Sequence, residues 1–129
     1  GTRVAYCFAD VQGYQKIGVY TGSGDNDGPV VHCGFKPAFI LRKNLSSATS
    51  WSIMDNKRFG RNVVLPYIHP NATTVEQTDQ NVNNIDILST GFKCRESDDD
   101  GNASGSKYLF HAIAENPFVT SGGVPATAF

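Results

Sequence analysis

Hydrophobic and polar residues alternate in short segments along this chain, and turn-forming residues separate the segments. The clearest segment is 107–114, which follows a Gly-containing polar stretch and ends before Asn116 and Pro117. Alternate side chains of a strand point to opposite faces. One face then carries Tyr108, Phe110, Ala112 and Ala114, and the other carries Leu109, His111 and Ile113. Because both faces are largely apolar, we expect a strand deep inside a packed sheet.

The first fourteen residues resemble the stretch 105–118 in residue class. Aligned without gaps, the matching pairs include Thr2 and Ser106, Arg3 and Lys107, and Tyr6 and Phe110. The similarity predicts a strand at residues 3–9, and two interpretations of it stay open. Two β-strands share a common pattern, or residues 1–13 are the last strand or linker of a preceding module in a longer, repetitive protein. In the second case residues 14–129 form the domain.

The rest of the chain also favours short strands, and no segment combines a helical period with capping residues. The run 38–41 is the most apolar and is the best candidate for a central strand. Residues 85–88 and 92–95 predict a hairpin. Further predicted strands are 16–20, 30–33, 51–55 and an edge or irregular segment at 63–68, with a charged, exposed stretch at 57–62 and surface loops at 21–29, 70–84 and 97–106. This spacing indicates an all-β antiparallel β-sandwich.

Composition and charge limit the classes of function. Thirteen Gly and six Pro support frequent turns, and eight Phe and five Tyr support strands. The formal net charge is −1 and the charged residues are dispersed, so the concentrated basic face of a nucleic-acid-binding protein is not expected. No apolar run approaches the ~20 residues of a membrane helix, so membrane insertion is not expected either.

The three cysteines are Cys7, Cys33 and Cys94. An odd number without a CxxC spacing argues against a disulfide framework and against a zinc site. Each cysteine lies among apolar neighbours in a predicted strand. We therefore expect buried free thiols, with a Cys7–Cys33 bridge as the alternative.

Two acidic loops could supply oxygen ligands for calcium. One contains Asp25 and Asp27, and the other contains Asp98, Asp100 and Asn102. The spacing of the second loop differs from that of an EF-hand, because its Gly falls at the fourth position rather than the sixth. Solvated turns are therefore the favoured interpretation, and calcium at Asp98, Asp100 and Asn102 is the alternative.

Aromatic side chains next to polar loops suggest carbohydrate binding, because sugar rings stack on aromatic rings. The candidate residues are Tyr14, Tyr20 and Tyr67, with Asp25 and Asp27 as polar partners. Trp51 is a further aromatic candidate, but the clear alternation of its strand favours packing. No motif of a hydrolase or metalloprotease is present, so no enzymatic activity and no cofactor are expected.

Several motifs occur in an order that is similar to one known family. They are Gly34-Phe35-x-Pro37-Ala38-Phe39-Ile40-Leu41, then Trp51-x-Ile53-x-Asp55 with Arg58, then Leu88-Ser89-x-Gly91-Phe92, then Asn102-Ala103-Ser104-Gly105 and Tyr108-x-Phe110-x-Ala112-x-Ala114-Glu115-x-Pro117-Phe118. From Tyr14 to its end the chain resembles a domain of bacteriophage tail-fibre and other virion surface proteins, found often at their carboxyl end.

The resemblance implies a jelly-roll sandwich of the concanavalin A-like type on the surface of a phage particle. It implies no catalytic residues. Its expected role is host attachment through a cell-surface polysaccharide, in a tail fibre or spike; the alternative is a capsid decoration or other assembly module that binds only viral proteins. The partners it implies are other virion proteins and further copies of the chain, with a trimer as the suggested form of the homo-oligomer. Host attachment predicts a concave surface formed by the loops 21–29, 70–84 and 97–105, whereas assembly predicts large apolar faces.

Overall fold

The computed structural model of the chain describes residues 1–79, 81–119 and 125–126. Within these ranges the chain forms β-strands and turns and no helix, so none of the described residues belongs to a helix that could cross a membrane. The strands are β1 (Gln15–Thr21), β2 (Val30–His32), β3 (Pro37–Asn44), β4 (Trp51–Asp55), β5 (Ile85–Leu88), β6 (Gly91–Cys94), β7 (Lys107–Ala114), β8 (Phe118–Val119) and β9 (Pro125–Ala126). The predicted all-β class is confirmed.

Two antiparallel sheets form the body of the sandwich. One has the strand order β1-β7-β3-β4 and the other has the order β2-β6-β5, while β8 and β9 pair separately. Both strands predicted from their apolar sequence to be central, β7 and β3, have neighbours on each side. The predicted hairpin is β5-β6, in which Leu88 pairs with Gly91. The sequence therefore located the two central strands of the larger sheet correctly.

Aromatic rings from both sheets meet in the core. Tyr20 of β1 stacks on Tyr108 of β7, with ring centroids 5.1 Å apart. Phe92 of β6 meets Phe110 of β7 edge to face at 5.7 Å, which joins the two sheets. Gly18 lies beneath Phe110, where a Cβ atom would approach the ring to 2.8 Å. This close approach turns Gly18 and Tyr20 inward on β1.

Residues 62–68 cover one open edge of each sheet. Val64 exchanges backbone hydrogen bonds with Ile85 of β5, and Ile68 exchanges them with Ile53 of β4. The segment therefore crosses from the smaller sheet to the larger one. It covers strand edges that would otherwise be free to pair with strands of other chains. The expectation of an edge or irregular segment at 63–68 agrees with this path.

The predicted strand at residues 3–9 is wrong. Residues 1–10 have no regular structure and all are exposed, and they form an arm that is attached near its end. The attachment consists of Gln15 Nε2 donating to the Ala9 carbonyl and of Asp10 accepting from Ile17 N and Lys16 Nζ. The alternating pattern is a property of the segment alone and does not show whether a neighbouring strand is present. The described part of the chain provides no partner strand for residues 3–9. The assignment of residues 1–13 to a preceding module stays a prediction.

Two further expectations need correction. Cys7 lies on the arm and is exposed, whereas Cys33 and Cys94 are buried, and all three thiols are free. The loop predicted at 70–84 is exposed at its start, but Asn83 and Asn84 at its end are buried. The Asn83 side chain accepts from Arg42 in the polar cluster described next, and the Asn84 carbonyl accepts from the Arg95 amide.

A buried ion pair joins the two sheets. Arg42 of β3 and Glu96, which follows β6, are both fully buried, and Arg42 Nη2 lies 3.0 Å from Glu96 Oε1. Arg42 also donates to Tyr20 Oη at 3.2 Å and to Asn83 Oδ1 at 2.7 Å. Burial raises the pKa of Glu96 to about 7, and the charge of Arg42 opposes this shift. We call Arg42, Glu96, Tyr20 and Asn83 the polar core.

The loop 97–105 closes over this polar core. Tyr20 Oη donates to the Gly101 carbonyl at 2.6 Å, and the Asp98 amide donates to Glu96 Oε2 at 3.1 Å. A Cβ atom at position 101 would lie 2.0 Å from both Arg42 Nη2 and Glu96 Oε1, so only Gly leaves room for the ion pair. The acidic loop is thus part of the packed structure.

Removal of one charge from the pair should be costly. We expect Glu96→Ala to lower the free energy of unfolding by about 3–5 kcal/mol, because Arg42 would remain buried without its counter-charge. The matched control is Glu76→Ala, which removes a carboxylate that is 47% exposed and pairs with Arg58; it should cost less than about 1 kcal/mol. Urea denaturation of the variants measures both values, and similar losses in the two would contradict the assigned role of the pair.

Candidate functional site

The five predicted carbohydrate-contacting residues do not form one site. Tyr20 and Tyr67 are 9% and 4% exposed, so neither ring offers a face to a sugar. Tyr14 is half-buried in the turn before β1, where its carbonyl accepts from the Ala114 amide, at the opposite end of β1 from Asp25 and Asp27. The prediction is wrong for Tyr20 and Tyr67 because aromatic residues near loops also serve as core residues.

Asp25 and Asp27 are exposed, but both act in local structure. Asp25 Oδ1 accepts from the Asp27 amide at 2.8 Å, which shapes the turn. Asp27 pairs with Lys93 and Arg95, and the hydrogen bond from Lys93 holds the pKa of Asp27 below its ordinary value. These contacts attach the loop 21–29 to β6.

The loops 21–29 and 97–105 do converge as predicted, but they pack on each other instead of leaving a concave surface. Asn102 is fully buried between them. Its Nδ2 donates to the carbonyls of Asp25 and Glu96, each at 2.7 Å, and its Oδ1 accepts from the Ser23 amide at 2.9 Å. Asn102 therefore links the two loops.

The same contacts argue against the predicted calcium site. Both atoms of the Asn102 amide are used by protein groups, and Asp98 Oδ1 accepts from the Asp100 amide at 2.9 Å. Asp100 Oδ2 accepts from Asn83 Nδ2 at 3.3 Å. In the described part of the chain no three His, Cys, Asp or Glu side chains are placed to hold a metal ion. The three predicted ligands thus serve the loop itself.

A polar concave surface lies around residues 56–62. A cavity of about 470 Å³ opens there, and a second of about 470 Å³ adjoins it across Arg61 and Asn62. We call the two together the polar groove. Its lining includes Asn26, Lys36, Asn56, Lys57, Phe59, Gly60, Arg61, Asn62, Asn84, Arg95 and Glu115.

Local contacts hold the segment that forms this groove. Asn62 donates from Nδ2 to the Ile87 carbonyl and accepts at Oδ1 from the Ile87 amide, each at 2.9 Å, so its side chain pairs with β5 as a strand would. Arg58 is held by Asp55 at 2.7 Å and by Glu76 at 2.8 Å. Segment 58–62 is thus fixed at both ends.

Positive charge predominates in the first cavity. Lys36, Lys57 and Arg61 line it together with one carboxylate, Glu115. Glu115 accepts from Lys36 at 2.7 Å and from Lys57 at 3.1 Å, and these hydrogen bonds hold its pKa below the ordinary value. Glu115 therefore stays ionised, and the cavity keeps a net charge of about +2, which attracts anions.

One group in the groove is left for a ligand. Arg61 lies over the ring of Phe59, with Cζ 4.7 Å from the centroid, and it forms no salt bridge with a described carboxylate. A guanidinium stacked in this way still presents its N–H edge for two parallel hydrogen bonds to a carboxylate. Asn56 donates to Glu115 at 2.8 Å, and its Oδ1, which accepts no hydrogen bond from the described residues, is buried and therefore not open to a ligand.

A second surface of interest is the outward side of the larger sheet, which we call the outer face. The central cross-strand row is Ile17, His111, Leu41 and Ile53, and the neighbouring rows add Val19, Leu109, Trp51, Phe39 and Ile113. His111 is the polar member of the central row. The charged side chains Lys43, Lys107 and Asp55 lie at the strand ends. The middle of the outer face is thus apolar.

Comparison with known families gives one match for the chain that carries the polar groove and the outer face. A family model described as "Domain of unknown function (DUF7483)" matches residues 1–117. The chain belongs to the DUF7483 family. The match includes the arm as well as β1 to β7. No match was found among the curated proteins or among the solved structures.

Sequence reasoning about this DUF7483 domain gave no role to the polar groove. The sequence signal is the group Lys57, Arg58 and Arg61 around Phe59, in the stretch 57–62 that is expected only to be charged and exposed. Lys36 and Glu115 are distant in sequence and reach the groove through the turn before β3 and the end of β7. Only the antiparallel pairing of β3 with β7 brings them together.

The outer face generates a pH prediction. Burial lowers the pKa of His111 below its ordinary 6.5; its ring contacts Phe8 at 4.7 Å and Phe39 at 6.4 Å, and Nε2 lies 3.0 Å from Gln15 Oε1. The unfolded chain then binds a proton at a pH where the folded chain does not. Stability should therefore fall as pH decreases through 6.5.

Thermal melting of wild type and His111→Gln between pH 7.5 and 5 measures this effect. We expect a smaller decrease in Tm on acidification for His111→Gln than for wild type. The matched control is His32→Gln, which removes an exposed imidazole on β2. An equal acid dependence in wild type and His111→Gln would refute the assignment.

Proposed function

We propose that this domain is a non-enzymatic module of a phage virion surface protein that attaches the particle to a host through an acidic cell-surface polysaccharide. The virion context rests on the ordered motifs shared with tail-fibre and spike proteins. The observation that carries the ligand class is the polar groove, in which three cations face one carboxylate. The groove is centred on residues 56–62, and of the loops predicted to form a binding surface it includes Asn26 of 21–29 and Asn84 of 70–84.

Acidic sugars fit the groove in two respects. A uronate or similar carboxylate can take a paired hydrogen bond from Arg61, while Lys57, whose side chain is 76% exposed, adds charge. A neutral glycan would leave Arg61 without an anion, so the expected preference is for charged glycans.

The experiment compares binding of uronate-containing and matched neutral oligosaccharides by calorimetry. Arg61→Ala should weaken binding of the acidic ligand about 10- to 100-fold, as expected for loss of a charge-assisted hydrogen bond. The matched control is Lys107→Ala, because Lys107 begins β7 and lies about 23 Å of strand from the end that reaches the groove. Affinity should also fall with salt.

Two results would contradict the glycan proposal. One is the failure of wild type to bind any acidic oligosaccharide on a glycan array. The other is an acidic ligand whose affinity is the same for wild type and Arg61→Ala.

A second candidate function is a decoration or assembly module that binds only viral proteins. The observation that favours it is the apolar middle of the outer face, including Val19, which is 53% exposed. A protein that only binds glycans has no need of such a face. Charge substitutions on the outer face would then abolish incorporation into particles, and Arg61→Ala would leave incorporation and adsorption unchanged.

A further inference from the structure

We infer that the outer face and the arm form an interface with a second copy of this chain. The inference is independent of the glycan proposal, because it concerns the uncharged outer face, whereas the glycan proposal concerns the cationic polar groove. Both complementary parts of the interface occur on the same chain. One part is an apolar cavity, and the other is a segment with exposed apolar side chains.

The cavity lies between the arm and the sheet. It has a volume of about 670 Å³, and its lining is almost entirely apolar: Tyr6, Cys7, Phe8, Ile17, Leu41, Trp51, Leu109 and His111. Protein interiors are close-packed, and an unfilled apolar space of this size forfeits the contacts that its lining could make. The arm spans the face without filling the space beneath it.

The arm itself is only partly engaged. Phe8 contacts the ring of His111 at 4.7 Å, but Val4 and Tyr6 are 77% and 83% exposed. Phe8 itself is 59% exposed, so the arm carries three largely exposed apolar side chains within five residues.

A two-fold axis satisfies both parts at once. If two outer faces approach each other, the Val4 and Tyr6 side chains of each copy can enter the cavity of the other. Such an isologous contact needs no third component, since the same patch serves on both chains. The composition also fits an interface: aromatic and aliphatic side chains occupy the centre, and Lys43, Lys107 and Asp55 stand at the rim.

Cys7 provides a reporter for the interface without any labelling site being added. It lies at the cavity and is exposed, whereas Cys33 and Cys94 are buried. In a monomer the rate of Cys7 alkylation does not depend on protein concentration. In the proposed dimer the second copy covers Cys7, so the rate should fall at least about tenfold once dimers predominate.

The experiment combines this alkylation rate with sedimentation velocity under reducing conditions, from about 1 to 100 µM, a range that brackets a micromolar Kd. Wild type should convert from monomer to dimer while Cys7 becomes protected. The double variant Val4→Asp/Tyr6→Asp should stay monomeric with a fast, constant rate. The matched control is Val75→Asp, which places a charge at an apolar residue that is 78% exposed on another loop.

Three outcomes would overturn the inference. The first is a wild-type monomer at every concentration with an unchanged Cys7 rate. The second is a dimer that persists in the Val4→Asp/Tyr6→Asp variant. The third is saturable binding of an apolar probe such as 1-anilinonaphthalene-8-sulfonate to the monomer with protection of Cys7, which would assign the cavity to a small apolar ligand. The variants lie on the exposed arm, so a folding defect would not account for monomers.

Discussion

The structure depends on a buried charge pair between its two sheets. Arg42 and Glu96 have no exposed surface, so neither can obtain from water the solvation that it loses on folding. The fold must supply partners instead, and it draws them from every neighbouring element: Tyr20 from β1, Asn83 from the segment before β5, and the Asp98 amide from the covering loop. The pair thus fixes the mutual position of the sheets and of the loops that close over it.

This constraint explains why the acidic, Gly-rich loops are structural. Gly101 is needed because any Cβ atom would displace the ion pair, and Asn102 then joins loop 97–105 to loop 21–29. The sequences of loops 21–29 and 97–105 predict a binding surface, but the polar groups of these loops form hydrogen bonds within the fold. The two surfaces that we propose for binding, the polar groove near 56–62 and the apolar outer face, lie outside the polar core.

The sequence predicted the parts of the fold that follow from periodicity. Alternation identified β7 as a strand inside the sheet, and unbroken apolar character identified β3 as a central strand; which face of β7 is buried did not follow from a pattern in which both faces are apolar. Periodicity could not decide which face of β1 points inward, because that depends on the fit of Gly18 beneath Phe110. For the same reason Tyr20, predicted to contact sugar, is a core residue.

Other features depend on contacts between distant residues, which no local pattern contains. Arginine is usually a surface residue. Arg42 can be buried only because Glu96, which is 54 positions away in the sequence, lies beside it in the fold. The groove likewise needs Lys36, Lys57 and Glu115 from three separate segments. The arm shows the converse case, since residues 3–9 have a strand-like pattern and find no partner strand in the described chain.

Amide hydrogen exchange tests most directly whether the loops are built into the core. The amides of Gly22, Gly24 and Asn102 donate to backbone carbonyls at 2.8, 2.7 and 2.9 Å. They should exchange as slowly as the amide of Ala112 in β7, because opening them requires disruption of the polar core. Exchange as fast as that of Thr73, in the exposed loop after β4, would show that the loops move independently and would contradict the account.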